Sequence, residues 1–236
     1  MSDYDNPYRL PSSVVDDAYL AAQDPAELFD VVLADGTPTG RTKRRDAVHR
    51  DGDWHRSIHV WIFGLDAVGR EVLTFQRRGR HKDTHPLMLD ATVGGHYRSG
   101  ERLTEALRET AEEIGRVVEE RELIVAGVRQ GVTEDDILRD REIQDVYLVR
   151  DDRPLAAFRP NPDELDALVR VEMEQVIALH GQGVAMVEGR KLDAATLTTT
   201  SCPVRISDLV PTIDRYFLKV ALAARAHLRG EPVIAV

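Results

Sequence analysis

The sequence predicts an α+β domain, and three stretches carry that prediction. Residues 54–63 form a strand candidate with bulky side chains on both faces, which is typical of a central strand covered on both sides. Residues 71–77 follow a turn and form the return strand. Residues 103–114 space their apolar side chains as one face of a helix does. Helices are therefore expected to pack against a sheet.

The composition fits one globular domain with extensions. The chain has 236 residues, 42% hydrophobic and 31% charged, which is ordinary for a protein with its own core. Its net charge of −10 argues against non-specific nucleic-acid binding as the main task. A metal held in an acidic site would still let it receive a phosphorylated substrate, because the ion supplies positive charge.

The single cysteine and the polar N-terminus indicate the cellular compartment of the protein. Cys202 has no partner for an internal disulfide, which fits a reducing compartment. Residues 1–10 are polar and acidic, unlike a signal peptide, and no apolar run approaches the length of a membrane span. We therefore expect a cytoplasmic protein with no membrane or nucleic-acid partner.

The N-terminal part precedes the domain. Residues 1–26 are polar and predict a loose arm with a short helix near residues 14–22. An apolar run, residues 29–34, then leads into a turn, and residues 40–50 are strongly basic, with His49 near their end. We expect the main domain to cover residues 27–205.

Residues 94–115 are a glycine-rich turn running into a short acidic helix. Thr104 is placed to cap the helix and Gly115 to end it in the left-handed conformation. Three glutamates share one side of the helix at spacings i, i+3 and i+4: Glu109, Glu112 and Glu113. Each like-charged pair costs about 0.2–0.5 kcal/mol, and Mg²⁺ or Mn²⁺ would turn that repulsion into attraction. On spacing alone, a solvated acidic face is at least as well supported as a metal site.

This stretch resembles the Nudix box, which reads Gly-x5-Glu-x7-Arg-Glu-(apolar)-x-Glu-Glu-x-Gly-(apolar). The matching positions are Gly95, Glu101, Arg108, Glu109, Glu112, Glu113 and Gly115. Only six residues separate Glu101 from Arg108, where the family has seven, and Thr110 and Arg116 stand where it prefers apolar side chains. Counting from Gly94 restores the spacing but loses the first glutamate. We interpret the missing residue as a shortened turn before the helix, which leaves Glu109, Glu112 and Glu113 in the same spacing relative to one another as in the family.

The resemblance implies a fold, a reaction and a set of residues. The fold is the Nudix α/β/α sandwich with a mixed central sheet, and the reaction is hydrolysis of a diphosphate bond in a nucleoside diphosphate linked to another group. The implied Mg²⁺ or Mn²⁺ ligands are Glu109, Glu112 and Glu113, and Glu112 or Glu113 would also act in catalysis. Gly95, Glu101 and Arg108 would support them; Arg108 lies one turn before Glu112 and is placed to brace it.

Two further groups are candidates for the site. A carboxylate from a later strand joins the site in many Nudix enzymes, and Asp145 is the first choice and Glu142 the second; a solvent-facing edge acid is an equal alternative. Residues 76–82 concentrate positive charge. They are either a solvated loop or an edge that contacts phosphate, since arginine forks match phosphate oxygens. Arg77 and Arg78 are the substrate-binding candidates, with Arg77 first.

Two other functions stay open. Residues 49–100 also resemble isopentenyl-diphosphate isomerase, which shares this fold and uses histidines in the positions of His55 and His96. The catalytic cysteine of that enzyme is replaced here by Gly94, so the isomerase reaction lacks a required group. His49, His55 and His96 are then either a remnant metal site or structural histidines. A Nudix module that binds nucleotides without cleaving them is the other alternative.

The C-terminal part is expected to complete the domain. Strands are predicted at residues 123–132, 143–149 and 165–171, a loop at 133–141, and a helix at 173–180. Residues 206–236 form the last segment, with a terminal helix at 206–228 that packs on the domain or forms a homodimer contact. Its apolar stripe comprises Ile213, Phe217, Val220, Ala221, Ala224 and Leu228. The family resemblance fades beyond about residue 175, and the substrate is expected to be a small diphosphate.

Overall fold

The computed structural model describes residues 24–82, 84–134, 139–181, 183–232 and 235–236. The strands are β1 (Leu28–Val32), β2 (Pro38–Arg44), β3 (Trp54–Leu65), β4 (Glu71–Arg78), β5 (Leu89–Asp90), β6 (Val93–His96), β7 (Ile124–Glu134), β8 (Arg139–Arg150), β9 (Leu165–Glu172), β10 (Val187–Asp193) and β11 (Thr199–Val204). The α-helices are α1 (Arg45–Asp51), α2 (Leu103–Ala106), α3 (Arg108–Ile114), α4 (Met173–Gly181) and α5 (Tyr216–Leu228). The helix predicted near residues 14–22 lies outside the described residues.

The strands form one mixed sheet centred on β3. β3 pairs in parallel with β8 and in antiparallel with β1, β4 and β6. From β4 the sheet continues through β9 and β10 to β11, and β7 extends it beyond β8. The mixed sheet that the sequence predicted is therefore confirmed.

Helices cover both faces of the sheet. The central strand β3 has bulky apolar side chains on both faces, and each set is buried under helices. Trp61 and Phe63 pack in one buried cluster with residues of α4 and α5. Ile58, Val60 and Ile62 pack in the other with α2, α3 and the segments around them. The predicted α/β/α layering and the doubly covered central strand are confirmed. Within the described residues, no helix is both long and apolar enough to cross a membrane.

Strand predictions were confirmed, but several boundaries differ. The strands predicted in residues 54–171 are all present. β8 begins at Arg139, within the stretch predicted as a loop. Residues 139–141 belong to the sheet because all three pair with β7 and Arg141 also pairs with β3. The hairpin β10–β11, which the sequence did not reveal, adds two strands at one edge of the sheet.

The acidic helix is broken in two. α2 begins at Leu103, after Arg102 rather than after the predicted cap Thr104, and Leu107 separates it from α3. Of the side chains predicted to share one face, Thr110 and Ile114 are fully buried, Leu107 is 5% exposed, and Leu103 is half-buried. Gly115 ends α3 in the left-handed conformation as predicted, at φ 66°.

The C-terminal helix packs on the domain. α5 begins at Tyr216, ten residues later than predicted, and Phe217, Val220, Ala221 and Ala224 are buried in the core. Ile213, expected on the same stripe, precedes the helix and is fully exposed. Its inclusion in the stripe was wrong, because the chain there is not helical and the helical spacing does not apply.

Candidate active site

The glutamates of α3 face a polar cleft on one side of the molecule. The carboxylates that line the cleft come from several elements and include Glu109, Glu112, Glu113, Asp140, Glu142 and Glu164. The cationic side chains that line it include Arg45, Arg78, Lys82 and Arg129. Opposite charges therefore meet in one concave surface, as expected for a site that binds metal and phosphate together.

Backbone geometry at two glycines lets α3 approach the sheet. The amide of Gly94 donates a hydrogen bond to Oε2 of Glu113 at 3.3 Å. A Cβ atom at Gly95 would lie 2.5 Å from Cγ and 2.6 Å from Cδ of Glu109, which is too close. The absence of a side chain at Gly95 therefore leaves the space that the Glu109 side chain occupies.

Burial raises the pKa of two carboxylates of α3, those of Glu109 and Glu113. Burial raises the pKa of Glu109 to about 7, with Arg108 opposing and Glu112 reinforcing the shift. It also raises the pKa of Glu113 well above the usual value, and Lys82 acts against that rise. Glu112 is exposed to solvent. The three glutamates line the same cleft, and a hard divalent ion bound there would compensate for the burial of Glu109 and for its repulsion by Glu112.

Arg108 and Glu101 support the site in a different way from that predicted. Arg108 contacts Glu109 and lies 3.3 Å from Oε1 of Glu101, whereas its predicted partner was Glu112. Glu101 also accepts a hydrogen bond from the Arg98 amide at 2.8 Å. Glu101 thus holds Arg108 beside Glu109, and it does not line the cleft with the other glutamates.

The structure separates the two predicted arginines. Arg78 lines the cleft, where it donates to the Thr84 carbonyl at 2.9 Å and pairs with Asp90 at 3.2 Å. Arg77, the first choice, is not among the residues that line it; its Nε donates to the Leu87 carbonyl at 3.1 Å. Adjacent side chains of a strand normally point to opposite faces of the sheet, which separates Arg77 from Arg78. A β-bulge also lies between these two residues.

The structure also separates Asp145 from the glutamates of α3. Asp145 lines another pocket, where Arg56 donates a hydrogen bond to it at 2.6 Å. Glu142, the second choice, lines the cleft, with Oε1 at 2.9 Å from Nε2 of His96. Asp145 pairs with Ile58 across the β3–β8 ladder. It lies three residues after Glu142 on the same strand, so the two side chains point to opposite faces of the sheet, and only that of Glu142 lines the cleft.

Beside the glutamates lies a histidine cluster of His49, His55, His96 and Asp140, each of which offers a ligand atom within 4.8 Å of the others. Nε2 of His49 and of His55 lie 3.7 and 3.5 Å from Oδ1 of Asp140. Buried Phe29 stacks on His55 and His96 with ring centroids 5.3 and 4.8 Å away. The three histidines were predicted from the sequence as a possible metal site, but Asp140 was not.

The protonation state of this cluster suits a metal ion. Burial lowers the pKa of His55 and of His96 to about 4, so both rings are neutral at pH 7. Nδ1 of His55 lies 3.2 Å from the Asp53 carbonyl, which favours a proton on Nδ1 and leaves the Nε2 lone pair facing the cluster. Neutral imidazoles with a carboxylate match Zn²⁺ or Fe²⁺ better than Mg²⁺.

The C-terminal segment contributes a polar group to the cleft wall. The hydroxyl of buried Tyr216 accepts a hydrogen bond from Nε1 of Trp61 at 2.9 Å and lies 2.9 Å from Nδ1 of His59. Arg129 lies over the Tyr216 ring at 4.3 Å and donates to Asp214 at 2.9 Å. Tyr216 was not predicted from the sequence, where its only signal is its place next to the predicted apolar stripe.

Comparison with known proteins shows the family of this chain. The sequence model of the NUDIX domain family matches residues 54–187. Nudix hydrolase 3 of Arabidopsis thaliana is 38% identical over 154 residues, which are 63% of this chain and 20% of that protein. An uncharacterized Nudix hydrolase of Clostridium acetobutylicum is 30% identical over 150 residues, covering 64% of this chain and 72% of that one. The chain thus spans a fifth of the length of its plant relative.

More distant similarities include an isomerase and a solved structure. Isopentenyl-diphosphate Delta-isomerase of Mycolicibacterium vanbaalenii is 28% identical over 143 residues, 60% of this chain and 75% of that enzyme. Among solved structures, a Deinococcus radiodurans protein is 25% identical, covering 66% of this chain and 90% of its own, with a TM-score of 0.45.

Proposed function

Because this chain belongs to the Nudix hydrolase family, we propose that it hydrolyses a diphosphate bond in a nucleoside diphosphate linked to another group. The observation that carries the proposal is the convergence of Glu109, Glu112 and Glu113 on a cleft that also presents Arg78 and Lys82. Carboxylates that hold a divalent ion, next to side chains that attract phosphate, are what this reaction requires.

The three glutamates have separate parts in this proposal. Glu109 and Glu113 would hold Mg²⁺ or Mn²⁺; Arg108 contacts Glu109, and the amide of Gly94 donates a hydrogen bond to Glu113. Glu112 reaches solvent from the same helix, and we assign it to the ion and to the proton of the attacking water. A bound divalent ion supplies Lewis-acid activation of the phosphoryl group and of the water.

Substrate binding is assigned to the cationic side of the cleft. Arg78 faces the cleft from the end of β4, and its guanidinium is oriented by Thr84 and Asp90. Such a fixed planar group is suited to bidentate binding of phosphate oxygens. Lys82 follows on the next loop as a more flexible point charge. We propose that these two residues contact the diphosphate.

The test is turnover of a nucleotide panel with Mg²⁺ or Mn²⁺ in ¹⁸O-water, followed by mass spectrometry. The panel contains sugar nucleotides, dinucleotides, oxidised nucleotides and cofactor diphosphates, with isopentenyl diphosphate as one member. We expect metal-dependent release of a monophosphate carrying the label. Glu112→Gln should slow turnover on the order of 10²–10⁴-fold. Glu120→Gln, an exposed glutamate outside the cleft, is the matched control and should keep the wild-type rate.

Each alternative outcome has a distinct meaning. Wild-type turnover in Glu112→Gln would show that the metal and base assignments are wrong. Isomerisation of isopentenyl diphosphate without hydrolysis would favour the isomerase, although Gly94 stands where that enzyme has its cysteine. Binding of nucleotides without any turnover would favour a binding module.

A further inference from the structure

One wall of the cleft is formed by a segment that follows the last strand of the sheet, residues 209–216, which we call the strap. Four of its residues line the cleft: Val210, Pro211, Thr212 and Tyr216. The strap lies outside residues 54–187, which the family model matches. This wall therefore comes from a part of the chain for which the family gives no role.

The strap is fastened at its first end to β5. Leu209 is buried and forms a parallel bridge with Leu89. The amide of Val210 donates to the Leu89 carbonyl at 3.0 Å. The strap thus begins beside the strand that carries Asp90, the partner of Arg78.

The other end of the strap is fastened to β7 and β3. Nε and Nη2 of Arg129 donate to the two carboxylate oxygens of Asp214 at 2.9 and 3.2 Å. The Arg129 guanidinium also lies 4.3 Å from the centre of the Tyr216 ring, and the Tyr216 hydroxyl accepts a hydrogen bond from Trp61 at 2.9 Å. The strap therefore crosses the cleft from β5 to β7, with residues 211–213 between the two anchors.

The anchor at β7 leaves Arg129 poorly placed to bind an anion. Asp214 takes both nitrogens of one edge of the guanidinium, and Gln144 accepts a hydrogen bond from Nη1. Arg78, by contrast, gives the carboxylate of Asp90 a single nitrogen, at 3.2 Å. A phosphate prefers a guanidinium that can offer two parallel N–H groups. The strap end of the cleft is thus less suited to a further phosphate than the Arg78 end.

Between its anchors, the strap presents uncharged side chains to the cleft. Pro211 and Thr212 are the residues that line it there. Among the described residues, none is hydrogen-bonded to the Thr212 hydroxyl. A hydroxyl can both donate and accept hydrogen bonds. This wall therefore matches an uncharged group that carries hydroxyls of its own, such as a sugar.

We propose that the strap is the specificity-determining wall of the cleft and that it selects substrates whose second group is an uncharged sugar. Thr212 contacts that sugar. The Asp214–Arg129 pair holds the strap in place and keeps Arg129 from attracting an anionic group, because specificity depends on rejecting the wrong group as well as binding the right one. This inference rests on the proposed function, since it needs a diphosphate bound by Arg78 and Lys82 in the same cleft.

The experiment compares substrates that differ only in the charge of the sugar: the uridine and adenosine diphosphates of glucose and of glucuronic acid. We measure kcat and KM with the full-length protein at saturating Mg²⁺. The wild type should favour glucose over glucuronic acid by at least about tenfold in kcat/KM. Asp214→Asn should reduce or reverse this preference, because Arg129 can then pair with the sugar carboxylate. Lys219 approaches Asp214 at 3.6 Å from outside the cleft, so Lys219→Gln is the matched control and should keep the preference.

A second variant tests the sugar contact itself. Thr212→Val removes the hydroxyl and keeps the shape of the side chain. It should raise the KM for the glucose nucleotide about 3- to 10-fold, the effect of one lost hydrogen bond. The KM for the methyl ester of the same nucleoside diphosphate, which has no sugar hydroxyls, should not change. Ile213→Val, at the fully exposed neighbouring position, is the control and should leave both values unchanged.

The outcomes separate the strap from the hydrolase. A preference that is equal in Asp214→Asn and wild type would overturn the proposal, and a lower melting temperature with that preference kept would show a purely structural pair. If Asp214→Asn does not fold, Thr212→Val decides, and an unchanged KM for the glucose nucleotide overturns the role of the strap. Turnover of other diphosphates but of neither glucose nucleotide would overturn the substrate class alone. Wild-type turnover in Glu112→Gln would instead count against the proposed function itself.

Discussion

Gly94 and Gly95 are neighbours, but they face different amounts of free space. A Cβ at Gly95 would come within 2.6 Å of two Glu109 side-chain carbons, whereas one at Gly94 would make an ordinary contact of 3.6 Å with His59. We predict that Gly95→Ala displaces Glu109 and weakens Mg²⁺ binding by at least about tenfold. Gly94→Ala should retain Mg²⁺ affinity. Calorimetric titration of Mg²⁺ into both variants checks this prediction. Equal Mg²⁺ affinities would show that the space at Gly95 is not needed for the position of Glu109.

The histidine cluster gives a prediction for a different metal. After incubation with Zn²⁺ and dialysis, we expect the wild type to retain about one zinc ion per chain. His55→Asn should lose it, because Nε2 of His55 lies inside the cluster. His81→Asn changes a histidine outside the cluster and is the control. Elemental analysis by mass spectrometry measures the content, and equal zinc in wild type and His55→Asn would contradict a metal role for the cluster.

At the residue scale, the sequence identified which side chains could act but not which way they point. Alternation along β8 puts Glu142 and Asp145 on opposite faces, and only the pairing with β3 decides which face meets the cleft. The glutamates of α3 were easier to place, because helical spacing alone gives them a common side. Lys82 and Glu164 come from separate loops, and no local pattern relates two loops that are far apart in sequence.

Among the elements, the end of α3 depends on Gly115. Its φ of 66° is left-handed, and a Cβ there would lie 2.6 Å from Cβ of Arg159. Gly69 has a comparable φ of 83° with nothing within 4 Å. We predict that Gly69→Ala lowers the free energy of unfolding by about 1 kcal/mol, for the backbone conformation alone. Gly115→Ala should lower the free energy of unfolding by at least about twice as much, as measured by urea denaturation. An equal decrease in both variants would show that Arg159 moves aside without a loss of stability.

Elements with strong periodicity were predictable, and elements defined by distant partners were not. β3 has apolar side chains on both faces, and this pattern alone indicates a central strand. The hairpin β10–β11 exposes much of its surface and includes Pro203, so its sequence lacks a continuous apolar face. It forms because β9 offers β10 an edge to pair with.

For the whole molecule, the buried carboxylates predict an unusual pH dependence. The folded-state pKa of Glu109, about 7, exceeds the ordinary value of 4.5. Folding therefore favours the protonated form, and this contribution to stability is lost as pH rises through 7. Burial of His55 and His96 acts oppositely, but only below their ordinary pKa of 6.5. We predict that the melting temperature of metal-free protein falls between pH 6.5 and 8.5.

Calorimetric melting in a chelating buffer measures this effect. Glu109→Gln should flatten the profile in that interval, because glutamine carries no titrating group, although Glu113 retains a part of the slope through its own raised pKa. Mg²⁺ added at pH 8 should raise the melting temperature by stabilising the ionised carboxylates. A metal-free melting temperature that rises with pH across the interval would contradict the prediction.

The parallel pairing of β3 with β8 also has a consequence for biosynthesis. Trp54 pairs with Arg141, more than eighty positions later, so β3 can form its antiparallel hairpin with β4 long before β8 exists. At roughly 5–20 residues per second, the ribosome needs several seconds to supply the missing partner. For that time, an apolar strand with one unpaired edge is exposed to other nascent chains, which makes it a target for self-association. We therefore expect soluble yield in cells to depend on translation speed between β4 and β8 and on chaperone supply.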